Sequence, residues 1–120
     1  MKKYTKRDFP LDKIRRFLEP GPIVLVSSAH DGERNIMTLG WHMMLGFEPA
    51  LVGLYIWDRN HSHEMIRKSK ECVINLPTFD LIDAVIGIGN NHGPEVEKLE
   101  TFDLTPAKAK KVGAPLIAEC

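Results

Sequence analysis

Cysteine is scarce in this chain of 120 residues, with only Cys72 and Cys120 present. They lie far apart and neither belongs to a CxxC pair, so the sequence supports neither a disulfide framework nor a zinc site. Cys72 falls in the apolar run Cys72-Val73-Ile74, where an inert core thiol is expected. Excess charge is missing too. Sixteen basic residues balance sixteen acidic ones, which leaves no global field to draw the chain onto nucleic acid or an anionic membrane, although a local anion site stays open. No apolar run reaches the ~18–20 residues of a membrane span. The lysine-rich start Met1-Lys2-Lys3-Tyr4 runs into no hydrophobic signal region, so the expected compartment is the cytoplasm. GxGxxG is absent, and no Ser-His-Asp or Cys-His order stands out. Neither a Rossmann nucleotide site nor a nucleophilic triad is indicated. Repeats and low-complexity tracts are lacking as well.

What is present suits one domain over residues 1–120 with a single core, since 43% of the residues are hydrophobic and 27% charged. Leu11, Ile14 and Leu18 fall at helical spacing, which predicts a short amphipathic helix that Pro20-Gly21-Pro22 stops. Ile23-Val24-Leu25-Val26-Ser27-Ser28 reads as a strand buried on both faces. Asp31-Gly32 then turns the chain back into a hairpin arm ending in Asn35-Ile36-Met37-Thr38-Leu39-Gly40-Trp41. His42 to Phe47 is apolar without a clear period. Leu51 to Trp57 reads as a third strand, in which Gly53 signals a bulge or a close approach. A helix over His63 to Lys70 is expected with Ser62 as its N-cap. Glu71 to Leu76 makes a fourth strand, and Asp80 caps a second helix through Ile88. After the polar loop Gly89 to Pro94, a brief helical turn covers Glu95 to Glu100, and Thr105-Pro106 offers another start signal. The closing run Val112 to Cys120 is strand-like and stops without a polar tail. That ending predicts either a partner subunit that completes the sheet or a longer natural chain. Strands mixed with short helices, away from a βαβ rhythm, make the fold class mainly β with short helices, α+β or a small barrel.

Two stretches can carry chemistry. The arm from Asn35 to Trp41 offers amide, hydroxyl and indole groups along one extended segment, which is equally the pattern of an ordinary core strand and of a strand lying along a flat, hydrogen-bonding ring. The junction Asp58-Arg59-Asn60-His61-Ser62 leads from a strand into a helix N-terminus, where a cation, a hydroxyl and amides can converge on a phosphate. There Ser62 serves equally well as a mere helix cap. His61-x-His63 lacks any accompanying carboxylate or thiol pattern, so no metal site is expected. Lys98 lies between Glu97 and Glu100 and, on its own, suggests a solvated ion pair worth ~0–1 kcal/mol.

Taken together, Glu19-Pro20-Gly21-Pro22-Ile23-Val24-Leu25-Val26-Ser27, the arm Asn35 to Trp41, His61-Ser62, Val73-Ile74-Asn75-Leu76-Pro77 and Ala114-Pro115-Leu116-Ile117-Ala118-Glu119-Cys120 resemble the flavin reductase-like FMN-binding proteins, flavoredoxin among them. The resemblance spans nearly the whole chain in order. It implies an FMN-binding split β-barrel completed by dimerisation, with one non-covalent FMN per subunit near the interface of a homodimer. It also implies that Asn35 and Trp41 lie along the flavin, with Met37 and Thr38 as neighbours, and that Ser62 contributes a loop hydroxyl. Arg59 and His61 fall on the phosphate side, Asn75 and Leu76 at the strand end near the cofactor, and Lys98 beside it. Two departures stand out. The strands that the family carries beyond the position of Cys120 are missing here, which leaves the barrel incomplete, and Asn90-Asn91-His92-Gly93-Pro94 has Asn-His-Gly where Ser-Gly is common.

The implied chemistry is that of FMN, with the protein binding and tuning it. No catalytic acid–base set is expected, and a cation such as Lys98 near the ring would favour anionic reduced flavin. The function implied is an FMN-dependent flavin or ferric reductase, or a flavoredoxin-type electron-transfer protein, reduced by NAD(P)H or a redox protein. The alternatives are an FMN carrier without turnover of its own and a cofactor-free interaction domain.

Overall fold

The structure, a computed structural model, describes residues 3–94 and 96–120. Strand β1 (Val24–His30) is its centre. It pairs antiparallel with β2 (Glu33–Leu39) on one edge and β5 (Val73–Asn75) on the other. The β1–β2 turn is the predicted one: Asp31 and Gly32 have φ of 54° and 81°, the pair of positive values that a two-residue hairpin of matching twist requires.

Because β1 is apolar at successive positions, its pleat must be covered on both sides. On one face Leu25 packs with Ile36, Ile88, Leu99, Leu104 and Ile117. These come from β2, α3 (Ile82–Asn90), α4 (Lys98–Thr101), the segment that follows it with Leu104, and β7 (Leu116–Ile117), which forms a small hairpin with β6 (Pro106–Ala107). On the other face Val24 and Val26 pack with Leu18, Met37 and Leu39, against which the inner sides of β3 (His42–Phe47) and β4 (Ala50–Leu54) lie. α2 (His61–Ser69) covers the same face, with Met65 buried and Ile66 against this cluster. β3 and β4 pair only with each other, so the strands form open sheets and no closed barrel among the described residues.

Several boundaries differ from the sequence expectation, each for a local reason. The first helix splits into a 3-10 turn over Leu11–Lys13 and α1 (Arg15–Leu18), which leaves Leu11 66% exposed and only Leu18 buried. His42 to Phe47, aperiodic on inspection, is a strand whose burial alternates throughout; the outward-facing Met43, Leu45 and Phe47 are as apolar as the inward-facing Met44, which hides the period, and the pairing register shifts between Met44 and Gly46. The bulge is therefore not at Gly53, where a side chain would stand 3.3 Å from both Met43 and Leu45. Asn60, not Ser62, caps α2, since its Oδ1 accepts from the Ser62 amide at 2.9 Å. Asp80 is not a cap either; Phe79–Leu81 forms a 3-10 turn before α3. The start signal at Thr105-Pro106 opens β6, not a helix. Of the helical turn expected over Glu95 to Glu100, α4 realises the end, with Glu97 as its cap; Glu95 lies outside the described residues.

Asn75 ties the two halves of the chain together. Its Nδ2 donates to Leu25 O and Ser27 Oγ, each at 3.1 Å, and its Oδ1 accepts from the Ile117 amide at 3.0 Å. Ser27 Oγ in turn donates to Pro115 O at 2.5 Å. Asn75→Ala leaves the buried Ile117 amide without an acceptor, and we expect it to lower stability by about 1–3 kcal/mol, read as a shift in the urea midpoint at unchanged m-value.

Candidate functional site

β2 has one free edge, and the start of α2 reaches it from one face while the start of α4 reaches it from the other. Asn35, buried near the beginning of β2, donates from Nδ2 to the Oγ of the fully buried Ser62 at 2.9 Å. This bond fixes the first turn of α2 against the sheet. Two of the helix's leading amides are already used internally, Ser62 N–H by Asn60 Oδ1 and His63 N–H by Asn60 O. An anion placed here therefore meets side chains more than free backbone donors.

Those side chains surround a cavity of about 490 Å³. Trp57, Arg59 and His61 enter it from the β4–α2 loop, His92 from the loop after α3, and Lys98 from α4. The Arg59 guanidinium lies 5.5 Å from the centre of the Trp57 ring. Asp58 and Glu64 also reach the cavity, but Glu64 is held by Lys68 at 2.7 Å, and that hydrogen bond and charge keep its carboxyl ionised to lower pH than usual. A groove of about 440 Å³ shares His61 with this cavity and runs over Arg34, Asn35 and Glu97.

Lys98 is the unusual group. It is 6% exposed, no carboxylate pairs with it among the described residues, and its Nζ donates to Ile36 O at 3.2 Å. Burial pushes its pKa below the ordinary value of 10.5. A solvated surface pair with Glu97 or Glu100 is thus not what forms: Glu97 instead pairs with Arg34 at 3.3 Å and caps the Glu100 amide. A desolvated ammonium with a carbonyl as its partner among the described residues suits an anionic ligand. Both cysteines, by contrast, are half-buried thiols, Cys72 pushed upward by desolvation and Cys120 to about 11.

The cavity and groove thus gather Asn35, Arg59, His61 and Lys98, with Ser62 directly behind them. The remaining residues expected at the cofactor lie elsewhere. Met37 is in the core beside Val24 and Val26, Thr38 donates from Oγ1 to Val85 O at 2.6 Å, and Asn75 is engaged with β7. Leu76 lines a separate apolar cavity of about 480 Å³ with Phe9, Phe17 and Val52. Trp41 is 71% exposed on β3's outer side, its ring centre 5.3 Å from that of Tyr55. Trp57 and His92 were not singled out from the sequence. The indole–guanidinium spacing Trp57-x-Arg59 is a signal that could have found the first; His92 had none of its own beyond the polar, Gly-rich loop that departs from the family pattern.

A family model described as flavin reductase like domain matches residues 15–120. The chain belongs to the flavin reductase-like family. An uncharacterized protein of Pyrococcus abyssi is 35% identical over 104 residues, covering 87% of this chain and 59% of the relative. Another, from Archaeoglobus fulgidus, is 36% identical over 86 residues, covering 72% of this chain and 49% of the relative. The chain therefore spans about half the length of these relatives. Among solved structures, an FMN-binding domain of flavin reductases-like enzyme from Shewanella baltica superposes with a TM-score of 0.92 at 25% identity, over 100% of this chain and 63% of that one. Flavoredoxin of Desulfovibrio vulgaris shares the fold, with a TM-score of 0.78 at 22% identity over 82% of this chain and 55% of its own. The architecture of this flavin reductase-like chain is accordingly that of the split-barrel proteins, in an open form.

The Asn35–Ser62 bond is measurable without any ligand. In a double-mutant cycle, Asn35→Ala and Ser62→Ala should each cost about 1–3 kcal/mol of stability, with a coupling energy of about 1 kcal/mol, read from denaturant unfolding of the four proteins.

Proposed function

We propose that this flavin reductase-like chain is an FMN-binding oxidoreductase, a flavin or ferric reductase or a flavoredoxin-type electron-transfer protein. The observation that carries the reading is Lys98: a buried ammonium without a carboxylate partner among the described residues, at the wall of a cavity large enough for a cofactor, in a chain of this family. Bound non-covalently, FMN supplies the hydride and one-electron chemistry. The chain's own residues bind and orient it. Arg59, His61 and Lys98 take the anionic end, and Asn35 with Ser62 holds the loop in place. Met37, Thr38, Asn75 and Leu76 act one step back by fixing β2 and β5. Trp41 faces outward and meets a flavin only near a subunit interface, which suits the homodimer of this reading. NAD(P)H or a redox protein is the electron donor, and free flavin, ferric iron or a partner enzyme the acceptor. In this reading the protein works in the cytoplasm. No helix among the described residues is long and apolar enough to cross a membrane.

The test is a titration of the purified chain with FMN, followed by absorbance and flavin fluorescence. Saturable binding with perturbed flavin bands is expected, and an unchanged spectrum at all protein concentrations overturns the reading. Lys98→Met should weaken binding about tenfold, the loss of one charge-assisted hydrogen bond worth about 1.5 kcal/mol or more. The pH dependence has a definite sign. Because burial lowers the Lys98 pKa in the free protein, the contribution of its charge is present below that lowered pKa and is lost as pH rises through it, before the ordinary lysine value of 10.5 is reached. The affinity ratio of wild type to Lys98→Met should therefore shrink over that interval.

A further inference from the structure

Histidine is the side chain whose charge changes between about pH 5 and 8, and two of them, His61 and His92, line the cavity at Lys98. They arrive from different elements, the half-buried His61 from the first position of α2 and the exposed His92 from the loop between α3 and α4. His92 belongs to the Asn-His-Gly sequence by which this chain departs from its family's pattern. The charged groups that face the two rings are of both signs. Asp58, Arg59 and Glu64 reach the cavity from the β4–α2 loop and α2, and Lys98 reaches it from α4. Glu64 is already held by Lys68. On its other sides His61 lines a recess of about 250 Å³ with His30, Asp31 and Glu33, and also the groove in which Arg34 pairs with Glu97. No group of three or more His, Cys, Asp or Glu side chains among the described residues could hold a metal ion. The cavity wall thus combines two cations, Arg59 and Lys98, with two imidazoles of variable charge.

We propose that His61 and His92 make anion binding in this cavity proton-linked, so that a phosphate monoester enters together with protons and is released as pH rises past neutrality. The identity of that monoester as FMN rests on the flavin reading above; the linkage does not. Its basis is Coulombic. In the empty cavity Arg59 and Lys98 repel a further positive charge on either imidazole, with only Asp58 to offset them. A phosphate dianion reverses the sign of that field and offers oxygens to the ring N–H groups, so the charged rings bind it and are stabilised by it. The coupling is reciprocal: an anion that draws protons onto the rings is itself held more tightly where those protons are plentiful. The gain is complete at a pH low enough to protonate the rings without the anion, and it is lost as pH rises through the range in which the complex gives the protons up. The second ionisation of a phosphate monoester lies near pH 6, so above about pH 6.5 the ligand is already a dianion and the imidazoles alone set the slope. His92 then acts on specificity. A doubly charged monoester gains from a second imidazolium, whereas riboflavin, which lacks the phosphate, gains nothing.

The experiment titrates the 120-residue chain with FMN, riboflavin and inorganic sulfate between pH 6.5 and 8.5; sulfate stays a dianion throughout. Calorimetry in buffers of different ionisation heat counts the protons taken up, and the histidine ring C–H resonances are followed by NMR. The wild type should bind FMN about tenfold more tightly at pH 6.5 than at pH 8.5 and take up protons as it does so, while riboflavin affinity stays flat. His92→Ser, which restores the hydroxyl common in the family, should lose on the order of fivefold at pH 6.5 and little at pH 8.5, with reduced proton uptake. His61→Gln should behave alike, and pH dependence that persists in the double variant belongs to Lys98. A merely structural role would lower affinity equally at both pH values. FMN binding without proton uptake, or a His92→Ser protein with the wild-type pH profile, overturns the proposal and leaves the flavin reading intact. If FMN does not bind but sulfate does, with the ring resonances titrating at higher pH in its presence, the flavin reading falls and the proton linkage stands. Failure of both ligands to bind overturns both.

Discussion

Strand β1 is hydrogen-bonded on both edges and apolar on both faces, and the placement of every other layer follows from it. Leu25 turns toward α3, α4 and the β6–β7 hairpin, while Val24 and Val26 turn toward β3–β4 and α2. Burial of this kind contributes roughly 1.5–3 kcal/mol per large side chain, so neither cover can be lost without exposing a row of them. The Asn75 network adds direction to that packing. By bonding Leu25 O, Ser27 Oγ and the Ile117 amide from a buried position, it joins residues 42 and more positions apart into one unit.

This arrangement leaves β2 with an open edge, and the candidate site is a consequence. The beginnings of α2 and α4 arrive at that edge from opposite faces because their hosts, the β4–α2 loop and the segment after α3, belong to different layers. Lys98 reaches the Ile36 carbonyl, which no further strand takes among the described residues. The same edge gives the side chains of the β4–α2 loop and of the α3–α4 segment a common cavity, with Asn60 already occupying the amides that would otherwise meet an anion. In the proposed function, recognition here is therefore assigned to Arg59, His61 and Lys98, which line that cavity.

Much of this was legible in the chain itself. Asp31-Gly32 specified its hairpin because few residues other than glycine, asparagine and aspartate tolerate two successive positive φ angles. The apolar run from Val24 to Val26 declared a strand buried on both faces, and the spacing of Leu81, Val85 and Ile88 declared the buried stripe of α3. The family was legible as well, from motifs distributed along the whole length. Less visible was β3, since its outward-facing Met43, Leu45 and Phe47 are apolar and mask the alternation on which strand recognition depends. The N-cap of α2 was ambiguous for a similar reason. Asn60 and Ser62 are both capping residues, and the choice between them depends on Asn35 drawing the Ser62 hydroxyl into the interior.

By itself, then, the sequence determined the turns, the doubly buried strand, the amphipathic stripe of α3 and the family, because each is written in local stereochemistry or in the order of short motifs. Tertiary structure alone decided that Lys98, flanked by two glutamates in sequence, is buried without either of them. It also decided that Trp41 faces outward and that Trp57 lines the cavity beside Arg59. Burial and partnership are properties of what lies across space, and a residue's neighbours along the chain do not contain them.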